Sequence, residues 1–261
     1  MISVTSQQLS AWLAMFAWPF ARILALLSTE PIVGNRSVPA RVKIGLAFLI
    51  TLVVAPALSV PPVPDPGSPA GLLILAQQIL VGISMGLAMR VVFSAVEMAG
   101  HLAGLQMGLG FALFFDPQSS GQVPVVAQFL GLLALLLFLA MNGHLILIAA
   151  LIESFEVLPI ISQPYSALAW KTLAGWGGEI FRVGLLMALP VVAALLVTNV
   201  AIGIVTRAAP QLNIFVVGFP LTLGIGFLVL ALALPYLLPL FEQLQHDVFT
   251  LMIQMLEQAR P

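Results

Sequence analysis

Seven stretches of almost uninterrupted apolar residues, at about 11–28, 44–60, 71–89, 91–114, 124–152, 183–206 and 214–240, leave few folds open to this chain. A helix that crosses a bilayer needs roughly 20 apolar residues, and most of these runs meet that length. Only 7% of the 261 residues are charged and 61% are hydrophobic. Soluble domains carry about 25% charged residues, so a water-facing surface cannot be assembled from this composition. The expected class is all-α: an integral membrane protein of six to seven long apolar helices joined as hairpins. No linker divides the chain, so 1–261 reads as a single membrane domain. The breaks carry turn chemistry, TEPIVGNRSVP at 29–39, VPPVPDPGSP at 60–69 and FDPQSSGQVP at 115–124. A longer, more polar connection runs from Glu153 to Arg182.

Several function classes recede on composition. The net charge of −1 offers nothing to nucleic acid. The absence of cysteine excludes disulfides, thiolate metal sites and cysteine nucleophiles. The first eighteen residues hold no Lys or Arg, so they read as mature chain and not as a signal peptide. Arg36, Arg41 and Lys43 in the first connection, against Glu30, place that loop in the cytoplasm by positive-inside counting.

The segment from Gly71 to Phe115 lacks proline and has no turn cluster near its middle. As one helix it would extend about 66 Å, against a hydrocarbon core of about 30 Å. As two spans, it would have to turn near AMRVVFSAVEM, which has no Gly, Pro, Asn or Asp. Its polar and small residues favour one helix. Gly86, Arg90, Ser94, Glu97, His101, Gly104 and Gly108 recur at helical spacing on one face. Charged groups at bilayer depth are costly unless paired or wet, so the stripe is either an internal ion pair joining two helices or a face turned to partner subunits or an aqueous passage. After it, Gly104, Gly108 and Gly110 loosen the helix, Met107, Phe111, Phe114 and Phe115 supply bulky adaptable groups, and Asp116-Pro117 stops it. Such a segment is either a plug in a conduit or a turn packed in the core.

Asn142 and His144, inside an apolar run, are expected to hydrogen-bond to a neighbouring helix. In the tail, Leu237, Phe241, Leu244, Val248, Leu251 and Met255 fall on one side and Glu242, Gln243, Asp247, Gln254 and Glu257 elsewhere, as in an interfacial or partner-packing helix. Gly82-Ile83-Ser84-Met85-Gly86 matches the pattern of a nucleophile elbow, but that device needs a preceding strand. Gly82 and Gly86 also read as a close helix contact. His101, His144 and His246 are scattered, so no metal site is expected. No catalytic constellation and no cofactor is implied.

Four stretches in order, VPARVKIGLAF (38–48), GLQMGLGFALFFDPQS (104–119), LLFLAMNGHL (136–145) and TRAAPQLNIFVVGFPLTL (206–223), resemble the FliR family. This is the export-gate subunit of the flagellar type III secretion apparatus, homologous to the T subunit of injectisomes, and the similarity spans residues 1–255. The resemblance implies a bacterial inner-membrane, multi-pass subunit of the flagellar basal body, and no enzymatic activity. One FliR-like chain completes a helical assembly with the P and Q subunits, FliP and FliQ. FlhB packs against it, FlhA is a further partner, and unfolded flagellar proteins are the cargo. Residues 1–174 would be P-like and 175–258 a Q-like hairpin. The plug would comprise Gln106, Met107, Gly108, Leu109, Gly110, Phe111, Ala112, Leu113, Phe114, Phe115, Asp116 and Pro117. At the hairpin tip, Pro210 halts the helix, Arg207 sits at a polar boundary, and Gln211 and Asn213 offer hydrogen bonds to neighbouring subunits. The alternatives are an injectisome T subunit and a small-solute secondary transporter.

Overall fold

The computed structural model describes residues 6–58, 64, 67–111, 124–160, 165–209 and 214–260, and side chains throughout these except at 6–14, 111, 214 and 215. The described residues form eight α-helices and no strand. They are α1 (Ser6–Thr29), α2 (Ala40–Val54), α3 (Pro69–Gln106), α4 (Val125–Ala140), α5 (Gly143–Val157), α6 (Leu168–Trp176), α7 (Glu179–Ala208) and α8 (Ile214–Gln258), with 3-10 turns at Ala55–Ala57 and Leu109–Phe111.

The described residues are all helical or irregular, as expected, and among them the candidate spans are fewer than six to seven. Four helical segments are long and apolar enough to cross a membrane: Ala40–Ala57, Pro69–Gln106, Leu168–Ala208 and Val216–Gln258. A fifth arises if α4 and α5 act together as one broken span. Two local causes explain part of the difference, and the run at 11–28 enters the count only as the shorter apolar helix Met15–Thr29. The runs at 71–89 and 91–114 are one unbroken helix of 38 residues, about 57 Å long. The run at 124–152 is interrupted at Asn142, whose φ of 57° is left-handed, a conformation Asn tolerates better than most residues. Asn142 therefore ends one helix and starts the next. Its side chain makes no cap hydrogen bond and is exposed, and the buried His144 Nδ1 has no partner among the described residues, so among these residues the expected bonds of this pair to a neighbouring helix are not formed.

The helix α3 also ends earlier than expected. Gly108, at φ 88°, takes the left-handed position just past the helix, and its N–H donates to the Leu105 carbonyl at 3.0 Å. This is a glycine ending of the common kind. The stop is thus Gly108, whereas Asp116 and Pro117 lie outside the described residues. Pro19, Pro190, Pro220, Pro235 and Pro239 all sit inside continuous helices, so neither Pro190 nor Pro220 breaks its helix.

The chain divides into two compact units. The first comprises Met1–Val91, Leu139–Gly177 and Gln245–Pro261. In it, α1 packs on the first half of α3 through glycines. A Cβ on Gly82 would fall on the Arg22 carbonyl, and one on Gly86 would fall on the Thr29 hydroxyl. The small-residue reading of this pair is correct. Ser84 between them is buried and donates to the Val81 carbonyl at 2.7 Å, an ordinary back-bond to its own helix. The Trp176 indole N–H donates to the Ala88 carbonyl at 3.0 Å, anchoring α6. Just after α1, Glu30 is buried and accepts the N–H groups of Ile32, Val33 and Gly34. Burial raises its carboxyl above the usual range, against the lowering effect of these bonds and of Lys43. Lys43 donates to the Gly34 and Asn35 carbonyls, while Arg36 and Arg41 are exposed.

The second unit comprises Val92–Phe138 and Gly178–Leu244. Phe93 stacks edge-on with Phe138 and Phe241, at 5.6 and 6.1 Å between centroids. Gly100 lies so close to α4 that a Cβ would strike the Ala127 backbone, and Gly184 on α7 faces Met98 in the same way. In the tail, Phe241, Leu244, Val248 and Met255 are buried in the chain's own interior, Leu237 and Leu251 half-buried, and Glu242, Gln243, Gln254 and Glu257 exposed. The tail is the last part of α8, its portion from Gln245 onward belongs to the first unit, and its apolar side is covered largely by the chain itself.

Candidate functional site

On α3 the polar stripe separates into two kinds of position. Gly86 and Gly104 are buried, and Ser94 is half-buried. Arg90, Glu97 and His101 are exposed, and none of them forms an ion pair among the described residues. The internal ion pair is thus not formed; the charged edge of the stripe faces outward. Glu97 lies along α4, its Oε1 3.6 Å from where a Gly131 Cβ would stand. Gly100, absent from the expected stripe, makes the closest contact with α4. The cue was available: Gly100 and Gly104 repeat the four-residue spacing of Gly82 and Gly86.

At the foot of α3, Gln106 is half-buried and Met107 fully buried, with Gly108, Leu109 and Gly110 half-buried. The Met107 N–H donates to the Ala103 carbonyl at 2.9 Å, and its own carbonyl accepts from the Thr222 hydroxyl on α8 at 3.2 Å. The start of the expected plug is therefore fixed to α8. The backbone of Phe111 belongs to the 3-10 turn, and the rest of the segment, Ala112 to Pro117, lies outside the described residues.

At the hairpin tip, α7 runs to Ala208 with the exposed Arg207 in its last turn, where a cation is favoured by the helix dipole. Ala209 leaves the helix at φ −130°, ψ 78°, as expected of a residue followed by proline. Pro210, Gln211 and Asn213 lie outside the described residues.

The most heavily bonded polar side chain is one that no sequence pattern singled out. Arg22 sits inside the apolar run 11–28 and has no exposed surface. Its Nε donates to Gln78 Oε1 at 2.8 Å. One terminal nitrogen donates to the Ser154 carbonyl at 2.7 Å and to the Ser154 hydroxyl at 3.0 Å, the other to the Leu158 carbonyl at 2.9 Å. The guanidinium lies 4.2 Å over the Phe155 ring, and Gln78 passes the network on to the Tyr165 hydroxyl at 3.1 Å. A permanently charged fork is held entirely by neutral acceptors and one aromatic face, tying α1, α3 and α5 together. The only available signal was an Arg in an apolar run; its partners come from distant segments that no spacing rule connects.

The described residues hold no cluster of His, Cys, Asp or Glu able to bind a metal ion. What they present is a scaffold: a long helix with an outward charged edge, a fixed turn at its foot, and a helical hairpin.

Comparison with known proteins agrees with the resemblance. The family model described as "Bacterial export proteins, family 1" matches residues 13–248. The flagellar biosynthetic protein FliR of Pectobacterium carotovorum subsp. carotovorum is 49% identical, over 99% of this chain and 98% of that protein. The chain belongs to the FliR family. The FliR of Escherichia coli strain K12 is 46% identical over the same shares, and that of Bacillus subtilis strain 168 is 32% identical over 92% of each chain. FliR-family membership makes this a protein of flagellar biosynthesis and export, and its long apolar helices fit a membrane protein. Within that family the buried Arg22 network and the α3–α8 contact are scaffold features of a flagellar biosynthetic export protein.

Proposed function

We propose that this chain is a core subunit of the flagellar protein-export gate in the bacterial inner membrane. It completes a helical assembly with FliP and FliQ, contacts FlhB and FlhA, and forms and seals a conduit for unfolded flagellar proteins. Residues 1–174 take the P-like part and 175–258 the Q-like hairpin. Residues 106–117 are the plug, and Arg207, Pro210, Gln211 and Asn213 make the tip contact with neighbouring subunits.

The observation that carries this reading is the outward charged edge of α3. Arg90, Glu97 and His101 are exposed, with no ion pair among the described residues, on a helix otherwise apolar enough to span. Facing lipid, each charged side chain would cost about 2.5–3.5 kcal/mol at the bilayer centre. Partner subunits or water remove that cost. The length of α3 supports the same conclusion, because about 57 Å of helix exceeds a hydrocarbon core of about 30 Å. The large exposed apolar surface of α7 and α8, including Val197, Val200, Ile204 and Phe227, is what packed sister helices would cover.

Charge reversal at this edge tests the assignment. Arg90→Glu and Glu97→Lys should leave the amount of this chain in membranes near wild type while sharply lowering the FliP and FliQ recovered with it. Undiminished recovery of both partners from both variants would contradict the assignment of α3 to a subunit interface.

A further inference from the structure

Two contacts at the foot of α3 fall on one face of α8. Met107 lies just past the last residue of α3, so its carbonyl has no partner within the helix. The Thr222 hydroxyl, which it shares with the Phe219 carbonyl of its own helix at 3.0 Å, reaches it at 3.2 Å. Four residues further along α8, and hence on the same face, Gly226 makes room for the Met107 side chain. A Cβ at Gly226 would stand 2.5 Å from Met107 Cγ, 2.9 Å from Cε and 3.1 Å from the sulfur. Gly224, in the same TLGIG run, has nothing within 4 Å of its Cβ position. Lack of space therefore dictates glycine at 226 and not at 224. Met107 has no exposed surface and Thr222 very little. The chain changes direction at the next residue, Gly108, through its positive φ.

We propose that Thr222 and Gly226 form a seat for Met107 that fixes the start of the plug and so holds the conduit closed. This rests on the reading of residues 106–117 as the plug. Thr222 and Gly226 are positioning residues: they touch Met107 and act on the seal through it. The contact consists of one neutral hydrogen bond and one flexible thioether in a glycine notch. Such a contact fixes a position yet separates without unfolding either helix.

The test uses the chain assembled with FliP and FliQ in liposomes, with potassium conductance as the readout. Thr222→Val removes the donor at nearly constant shape, and Gly226→Val fills the notch. Both should raise resting conductance severalfold, while Gly224→Ala should leave it unchanged. A double variant, Met107→Cys with Gly226→Cys, exploits a chain that has no cysteine of its own. Oxidation should stop export of flagellar proteins in cells, reduction should restore it, and neither single variant should respond. The deletion of Gly108–Phe115 separates the two ideas. If the deletion leaks but Thr222→Val and Gly226→Val stay tight, the seat is wrong and the plug reading stands. If the deletion stays tight, the plug reading fails and the seat with it. Should Gly226→Val not assemble, Thr222→Val and the cysteine pair decide, and export indifferent to oxidation of a formed 107–226 disulfide overturns the proposal.

Discussion

Replacing Arg22 by Met should cost this chain most of its folded population. The guanidinium satisfies Gln78 Oε1, the Ser154 carbonyl and hydroxyl, and the Leu158 carbonyl in an interior it never leaves. Without it at least three buried acceptors lose their donor, each at about 1–3 kcal/mol. Against a total stability of about 5–15 kcal/mol, such a loss is severe. Methionine refills much of the volume, so the effect reports the bonds and not a cavity. Arg22→Lys should recover only part of it, because an ammonium is a compact point donor that cannot reproduce the planar fork. Tyr165→Phe, which removes the outer bond from Gln78, should cost about 0.5–1.5 kcal/mol. Thermal unfolding in detergent and the amount of chain retained in membranes measure the series. A wild-type unfolding temperature for Arg22→Met would show that the network is dispensable.

Deleting Gly108–Phe115 should turn a sealed assembly into a leaky one. The segment begins where α3 ends at a left-handed glycine, and the residue before it, Met107, is anchored to α8 through Thr222. Removing the eight residues past this anchor leaves both helices intact, because their packing depends on residues before Met107 and on α4 and α7, at Gly100 against Ala127 and Gly184 against Met98. The loss should therefore fall on the seal and not on assembly. Potassium conductance of the assembled gate should rise well above wild type, with FliP and FliQ still bound. Unchanged conductance with normal assembly would place the seal elsewhere.

The sequence made the broad class legible because a chain with 7% charged residues cannot cover itself with a water-facing surface. Periodic small residues located real helix contacts at Gly82 and Gly86, and α7 ends at Ala208, two positions before the proline in the sequence. Other features depended on information that is not periodic. The number of spans turned on α3 running unbroken through two apolar runs and on left-handed Asn142, and the end of α3 on left-handed Gly108, none of which apolar runs encode. Arg22 looked like an isolated polar residue because its partners, Gln78, Ser154, Leu158 and Phe155, meet only after α1, α3 and α5 pack. The amphipathic tail showed which face is apolar but not what covers it, and the cover is largely the chain itself. At the proposed plug, Met107 was named for its adaptability, while its contact, Gly226, read as one more glycine in TLGIGF. The need for glycine there comes from a side chain 119 positions away in the sequence (226 − 107).

The claim beneath all of this is that sister subunits, and not acyl chains, cover most of the outward apolar face of α7 and α8 and the charged edge of α3. Native mass spectrometry of the affinity-tagged chain, released from the membranes of its own bacterium in mild detergent, tests it most directly. The expected spectrum is dominated by a complex containing FliP and FliQ, with little free chain. A stable, lipid-bound monomer as the main species, from cells that still swim, would contradict it.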